Sequence, residues 1–306
     1  MTFQYNDAAH PGAITDVLVA GRQARLQYDA AGRLSAITDA AGMTSRFGYA
    51  GSDIVAMDTP YGHTAFASGG DMNGNLWVQA TQIVDGIPAK ERVELRVDVL
   101  ADNPAVPGGV PPAQEPAGNV PAGMNLRNAE LDRRNSFYWD RRAMAEMGNP
   151  ESNGVFNYDL ARVTHWMYDA ERGILYDTPS SVKAPLEGRV WFEYGEANAV
   201  PDQFTAGTLE WQATAIGRVL DGAGTLGERS QVRRYAYNGK GRVVQSVDPK
   251  GRETSYAYFV TPNGVPISPR EGELLEGISQ RTGDELRRSA GGLCRARCGW
   301  VCRHGG

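Results

Sequence analysis

A chain of 306 residues in which 41% are apolar can bury one large or two ordinary cores. The formal charge is −5, from 31 Lys and Arg against 36 Asp and Glu, so the average shows none of the basic bias of a nucleic-acid binder, and nucleic acid is not an expected partner. No run approaches the roughly 18 apolar residues that a membrane-spanning helix needs, and no direct membrane span is expected.

The 37 glycines and 13 tyrosines suit a turn-rich sheet protein better than a helical bundle. The N-terminus, MTFQYNDAAHPG, has neither the basic nor the apolar stretch of a secretory leader. Its first landmarks, Ile14-Thr15-Asp16 and Gly21-Arg22, lead into a segment that organises the chain, Tyr28-DAAGRLSAITDAAGMTSRFG-Tyr49. A second segment, Tyr237-NGKGRVVQSVDPKGRETSYA-Tyr258, repeats it with the same tyrosine spacing. Gly32-Arg33-Leu34 matches Gly241-Arg242-Val243, Asp39 matches Asp248, and Gly42 matches Gly251. Agreement at fixed spacing marks one structural unit used more than once.

The unit reads as a β-hairpin. Short β-compatible runs flank Asp39-Ala40-Ala41-Gly42 and Asp248-Pro249-Lys250-Gly251, where Asp accepts backbone hydrogen bonds, Pro sets φ and Gly tolerates positive φ. Gly251 is expected at positive φ. A lone hairpin is marginal in water, so the units should stack into a continuous sheet. Looser copies follow at Tyr49-AGSDIVAMDTPYGHTAFA, with Asp58 and Gly62, and at Tyr168-DAERGILYDTP, with Gly173 and Asp177.

These residues resemble the Rhs/YD-repeat family, which includes bacterial Rhs proteins, toxin-complex shell components and the teneurin-like YD shell. Its YDxxGRL…D…G…Y pattern is carried by Tyr28, Asp29, Gly32, Arg33, Leu34, Asp39, Gly42 and Tyr49, and again from Tyr237 to Tyr258 with Asn238 in place of the aspartate. Pro185-LEGRVWFEYGE and Ala215-IGRVLDGAG are similar to the less regular stretches of such proteins. The resemblance implies an all-β fold of repeated antiparallel hairpins in a curved sheet or partial shell, with an irregular middle region.

Four segments are expected: YD repeats over 1–66, an irregular β-rich region over 67–154, degenerate and regular repeats over 155–279, and a disordered tail over 280–306. In the middle region Arg92 to Val99 alternates cleanly, which predicts a strand with Val93, Leu95, Val97 and Val99 buried and Arg92, Glu94, Arg96 and Asp98 wet. Asn75-LWVQATQIV is its strand neighbour, with a turn at Asp85-Gly86. Residues 104–121, PAVPGGVPPAQEPAGNVP, read as a surface loop that buries little, and Leu126 to Met147 suits helix or strand. Arg133, Arg134, Arg141 and Arg142, interrupted by acids, read as a solvated face.

The chemistry is sparse. Cys294, Cys298, Cys302 and His304 form the only metal-like cluster, but the spacing is not a common zinc knuckle and the surroundings are Arg-rich, so no metal ligand is assigned. His10, His63 and His165 are scattered; His165 reads as a satisfied imidazole or a partly exposed strand residue. Asp39, Asp58 and Asp248 read as turn caps rather than paired acids. No P-loop, nucleophile elbow or zinc-protease motif occurs. Catalytic, cofactor-binding and metal residues are therefore none, no cofactor is expected, and the chain is not read as an enzyme.

The expected function is a scaffold or shell fragment of an Rhs/YD-repeat protein, secreted or at the cell surface, engaged in toxin encapsulation or surface interaction. Its implied partners are the remaining YD-repeat shell and a C-terminal toxin cargo. The alternative is a carbohydrate-binding adhesion module with cell-surface carbohydrate as partner, whose aromatic rings would stack on sugar faces.

Overall fold

A computed structural model describes residues 1–98, 111–148, 156–170, 172–195, 212–222, 224–238 and 241–258, and the backbone of 275–281. The cysteine cluster and most of the expected disordered tail lie outside the described residues. The described chain is almost entirely antiparallel strand with two short helices.

One connector recurs five times among the described residues, at Asp29–Gly32, Asp39–Gly42, Asp71–Gly74, Asn238–Gly241 and Asp248–Gly251. In each, the glycine N–H donates to the first residue's carbonyl at 2.9–3.3 Å, and the first residue's N–H donates to the carbonyl just past the glycine at 2.8–3.0 Å. The glycines have φ from +74° to +84°. At the four connectors whose central residues are described, this is a type I turn followed by a left-handed bulge residue, the geometry of a three-residue hairpin loop. The leading carboxylate completes it. Asp29 Oδ1 accepts from the N–H groups of Ala31 and Arg33, and Asp248 Oδ1 from those of Lys250 and Arg252, all at 2.9–3.0 Å.

Two compact units result, residues 1–110 with 136–161, and residues 111–135 with 162–306. In the first, β1 (Thr2–Gln4), β2 (Asp16–Val19), β3 (Arg22–Tyr28), β4 (Leu34–Thr38), β5 (Thr44–Ala50), β6 (Asp53–Thr59), β7 (Gly62–Gly70), β8 (Leu76–Val84) and β9 (Ile87–Arg96) each pair antiparallel with the next. The meander runs through residue 66 without a break, and Asp71–Gly74 adds a connector inside the stretch read as irregular. The expected Asp85-Gly86 turn is present, with φ of +52° and +78° between the paired Val84 and Ile87.

The ambiguous stretch Leu126–Met147 contains both alternatives. β10 (Asn135–Trp139) pairs with β9, and α1 (Arg141–Glu146) follows, capped by Asp140 Oδ1 accepting from Ala143 N–H at 2.8 Å. Phe137, Trp139, Met144, Phe156 and Tyr158 form the core of this unit. Phe137 meets Tyr158 edge-on at 4.7 Å, and Trp139 Nε1 donates to Asn157 O at 2.9 Å.

The expectation for Arg92 to Val99 is inverted over Arg92–Glu94, while Leu95, Arg96, Val97 and Asp98 are all half-buried and Val99 lies outside the described residues. Arg92 and Glu94 are buried, 8% and 4% exposed, while Val93 is 42% exposed. Arg92 lies between the rings of Trp77 and Phe156, 4.1 and 4.5 Å from their centroids, and its Nη2 donates to Glu94 Oε1 at 2.7 Å. Glu94 Oε2 accepts from the Tyr158 hydroxyl at 3.0 Å. Paired, hydrogen-bonded and stacked, these charges tolerate a desolvated face that neither could occupy alone.

In the second unit β11 (Arg162–Asp169), β12 (Ile174–Lys183), β13 (Val190–Tyr194), β14 (Ala213–Val219), β15 (Ser230–Tyr237), β16 (Val243–Val247), β17 (Glu253–Tyr258) and β18 (Leu275–Arg281) again pair in sequence order. A one-turn helix α2 (Leu226–Arg229) follows the Asp221 loop, its Thr225 N–H donating to Glu228 Oε2 at 2.8 Å.

Candidate functional site

Tyrosine gives the repeat its cross-strand tie. Tyr28, Tyr49, Tyr194, Tyr237 and Tyr258 each stand where their strand slips register against the following strand. A bulge re-aims a side chain, and here each hydroxyl reaches back to a carbonyl on or just before the preceding strand. The acceptors are Ile14, Leu34, Pro179, Ala213 and Val243, at 2.7–2.9 Å. One side chain thus fixes three strands. Burial raises the pKa of the Tyr194 hydroxyl well above the ordinary range and raises that of Tyr237 in the same direction. Connector and tie also meet directly: Asp29 holds the Arg33 guanidinium at 2.7 Å, and that group stacks 4.5 Å from the Tyr49 ring centroid.

The second unit carries a strap. Residues 111–135 run over the face formed by His165, Ser181, Trp191, Gly217 and Val232, which are register partners across β11 to β15. Glu115 Oε1 accepts from Arg189 Nε at 3.0 Å with both side chains buried, and Arg189 Nη1 donates to Ser181 Oγ at 3.0 Å. Trp191 Nε1 donates to Asn119 O, Asn125 N–H to Glu193 Oε2, and Ser230 Oγ accepts from Ala122 N–H. A Cβ at Gly217 would collide with Met124 Sδ and crowd Pro121 Cβ at 3.3 Å, so the strap lies against bare backbone there.

The proline-rich stretch is therefore anchored over 111–121, with Pro111, Glu115 and Pro121 buried; 104–110 lie outside the described residues. The solvated reading of the arginine group fails at Arg134, which is 7% exposed, stacks on Tyr168 at 4.6 Å and bonds Glu130 at 2.9 Å. Nothing local in the sequence distinguishes it from its exposed neighbour Arg133.

His165 is 3% exposed and bonds Asn135 Oδ1 through Nδ1 at 3.2 Å. Burial, then the Arg134 and Arg189 charges, lower its pKa to about 3, so it is a neutral core imidazole. Asp39 and Asp248 cap connectors as expected, but Asp58 does not. It lies within β6 and bonds His63 Nδ1 at 2.7 Å. The buried carboxylates Glu94, Glu115 and Glu193 each have the fixed donors already named, and no described pair converges on open space. An open cleft of about 740 Å³ beside β1–β3 is lined by Asp16, Gln23 and Asn6. There Gln23, Thr15 and Asn6 all donate to the Asp16 carboxylate and hold its pKa down, which saturates it.

Residues 13–64, the stretch holding the first two ties and connectors, match the RHS repeat family model. The same connector and tie recur beyond that range at 237–258, where the sequence repeats the spacing of the first segment. No curated protein matches the chain.

Among solved structures, the crystal structure of TcdB2–TccC3–TEV aligns over 89% of this chain and 11% of that chain, at 12% identity and a TM-score of 0.40. A Photorhabdus luminescens Tc holotoxin pore carrying a TccC3 mutation aligns over 85% and 12%, at 14% identity and 0.29. The crystal structure of TcdB2–TccC3–Cdc42 aligns over 87% and 15%, at 11% identity and 0.25. The chain spans 11–15% of the length of these chains.

Proposed function

We propose that the chain is a length of wall in an Rhs/YD-repeat scaffold or shell, secreted or held at the cell surface. Its partners in this reading are further repeats of the same kind and a toxin cargo. The observation that carries it is the tyrosine tie, which fixes three strands per residue and appears both in the RHS repeat and outside it. Such a tie stiffens a sheet and leaves no reactive group free. Among the described residues no helix is long and apolar enough to cross a membrane.

The carbohydrate reading gains no support from these tyrosines, because each is half-buried with its hydroxyl engaged by backbone. The test is protease protection in the product of the complete reading frame. Sequence following the repeats should resist trypsin in place and be digested when expressed alone. Tyr49→Ala with Tyr258→Ala should remove the protection. Equal digestion in both settings would overturn the shell reading.

A further inference from the structure

The turns β2–β3, β4–β5, β6–β7 and β8–β9 all lie on one rim of the first unit's sheet. Each presents a large apolar side chain to solvent. Val19 is 47% exposed, Met43 41%, Tyr61 86%, Val84 46% and Ile87 68%. The two middle tips touch, for the Tyr61 hydroxyl reaches the Met43 sulfur at 3.6 Å. Hairpin tips two strands apart are separated by about 9.6 Å, so four tips make a ridge of roughly 29 Å. Exposed apolar residues in a row, rather than singly, mark an interaction surface.

We propose that this rim is a self-association surface, packing antiparallel against the same rim of a second copy of the chain. Three features select that occupant. A partner must match the tip period, which an identical rim does by symmetry. It must also follow the sheet twist of roughly 20–25° per strand, which no planar lipid surface does. Finally, the row is charge-complementary to itself when reversed. Arg22 stands at its first turn and Asp85 at its fourth, both exposed, and neither has an ion-pair partner among the described residues. Antiparallel packing sets Arg22 against Asp85 twice and brings Met43 opposite Tyr61.

The contact is narrow, at the low end of specific interfaces, so the dimer is a weak one. Sedimentation equilibrium of the 306-residue chain over a wide concentration range tests it. A monomer–dimer equilibrium is expected, weakened at least ~10-fold by Tyr61→Asp or Ile87→Asp made singly, about 1.4 kcal/mol. Arg22→Glu should weaken it likewise, and adding Asp85→Asn should restore part of the loss, which a folding defect would not do. Unchanged circular dichroism melts establish that the variants are folded. A monomer at every concentration overturns the proposal. So does a dimer that ignores these changes but is lost with Val78→Lys on the β8–β9 face, and so does binding of phosphatidylcholine vesicles without dimerisation.

Discussion

Tyr49 shows what one residue contributes. Its ring takes the Arg33 guanidinium and its hydroxyl satisfies Leu34 O. Tyr49→Phe keeps the ring and leaves that carbonyl unpaired, so a loss of about 0.5–1.5 kcal/mol is expected in urea unfolding. No change would remove the tie from the account of stability. The acid side of the stability curve follows from two kinds of group. Asp29 and Asp248 are held below the ordinary carboxylate range, first by the side chains of Arg33 and Arg252 and then by backbone N–H groups. A depressed folded pKa gives stability that is present above about pH 4, the unfolded value, and is lost as pH falls through the folded value. His165 acts over a wider range. Its folded pKa of about 3 lies below the ordinary 6.5, so the unfolded chain binds the extra proton first. Stability should therefore fall by about 1.4 kcal/mol per pH unit as pH drops between those two values, and His165→Asn should flatten that slope. A slope unchanged by the substitution would show that His165 is not the titrating group. The connector residues were legible because their signal is local: Gly251 was expected at positive φ and has φ +75°. The tie was not legible, since the tyrosine spacing showed that something recurs but not which carbonyl each hydroxyl reaches.

At the scale of the element, strap and β9 share a reason for being misread. Proline and glycine in 111–121 signal a loop by local chemistry, and a loop in the backbone sense is what they form. What holds it down is Glu115 meeting Arg189, 74 positions away, and no pattern within either segment encodes that contact. β9 has strict alternation, but alternation gives the period and not which face is covered. Aromatic residues from β10 and the segment after it chose the charged face. The strap makes a sharp prediction. Gly217→Ala places a methyl against Met124 and Pro121 and should lift the strap there, seen as faster amide exchange over residues 119–125. Met124→Ala in the same chain should restore protection, because it removes the nearest obstacle. Failure of that rescue would place the fault in β14 itself. Glu115→Gln should cost more, about 3–5 kcal/mol, because it leaves a buried guanidinium without its counter-charge.

For the whole molecule, sequence order and compact units do not coincide. The first unit takes residues 136–161 from beyond the strap, and the strap itself belongs to the second unit. The nine strands of the first 96 residues follow one another without interruption, as a self-standing meander would. The inversion at β9 argues otherwise. Leu76, Val78 and Val93 already face solvent on one side of β8–β9, so the other side must supply whatever burial the hairpin has. That side is covered by Phe156 and Tyr158, with Phe137 and Trp139 behind them. Without residues 136–161, Arg92 and Glu94 return to water, Trp77 loses the guanidinium stacked on it, and β8–β9 has no buried face at all. Fragment 1–98 should then melt broadly and at least ~10 °C below the same fragment joined to residues 136–161 by a Gly/Ser linker, since roughly 4–8 °C accompanies each kcal/mol in a domain of this size. Amide exchange should localise the difference to β8 and β9, with the connectors at Asp29 and Asp39 protected in both. Equal melting of the two forms would mean that the repeat meander carries its own stability, and that the aromatic cluster is packed on it without supporting it.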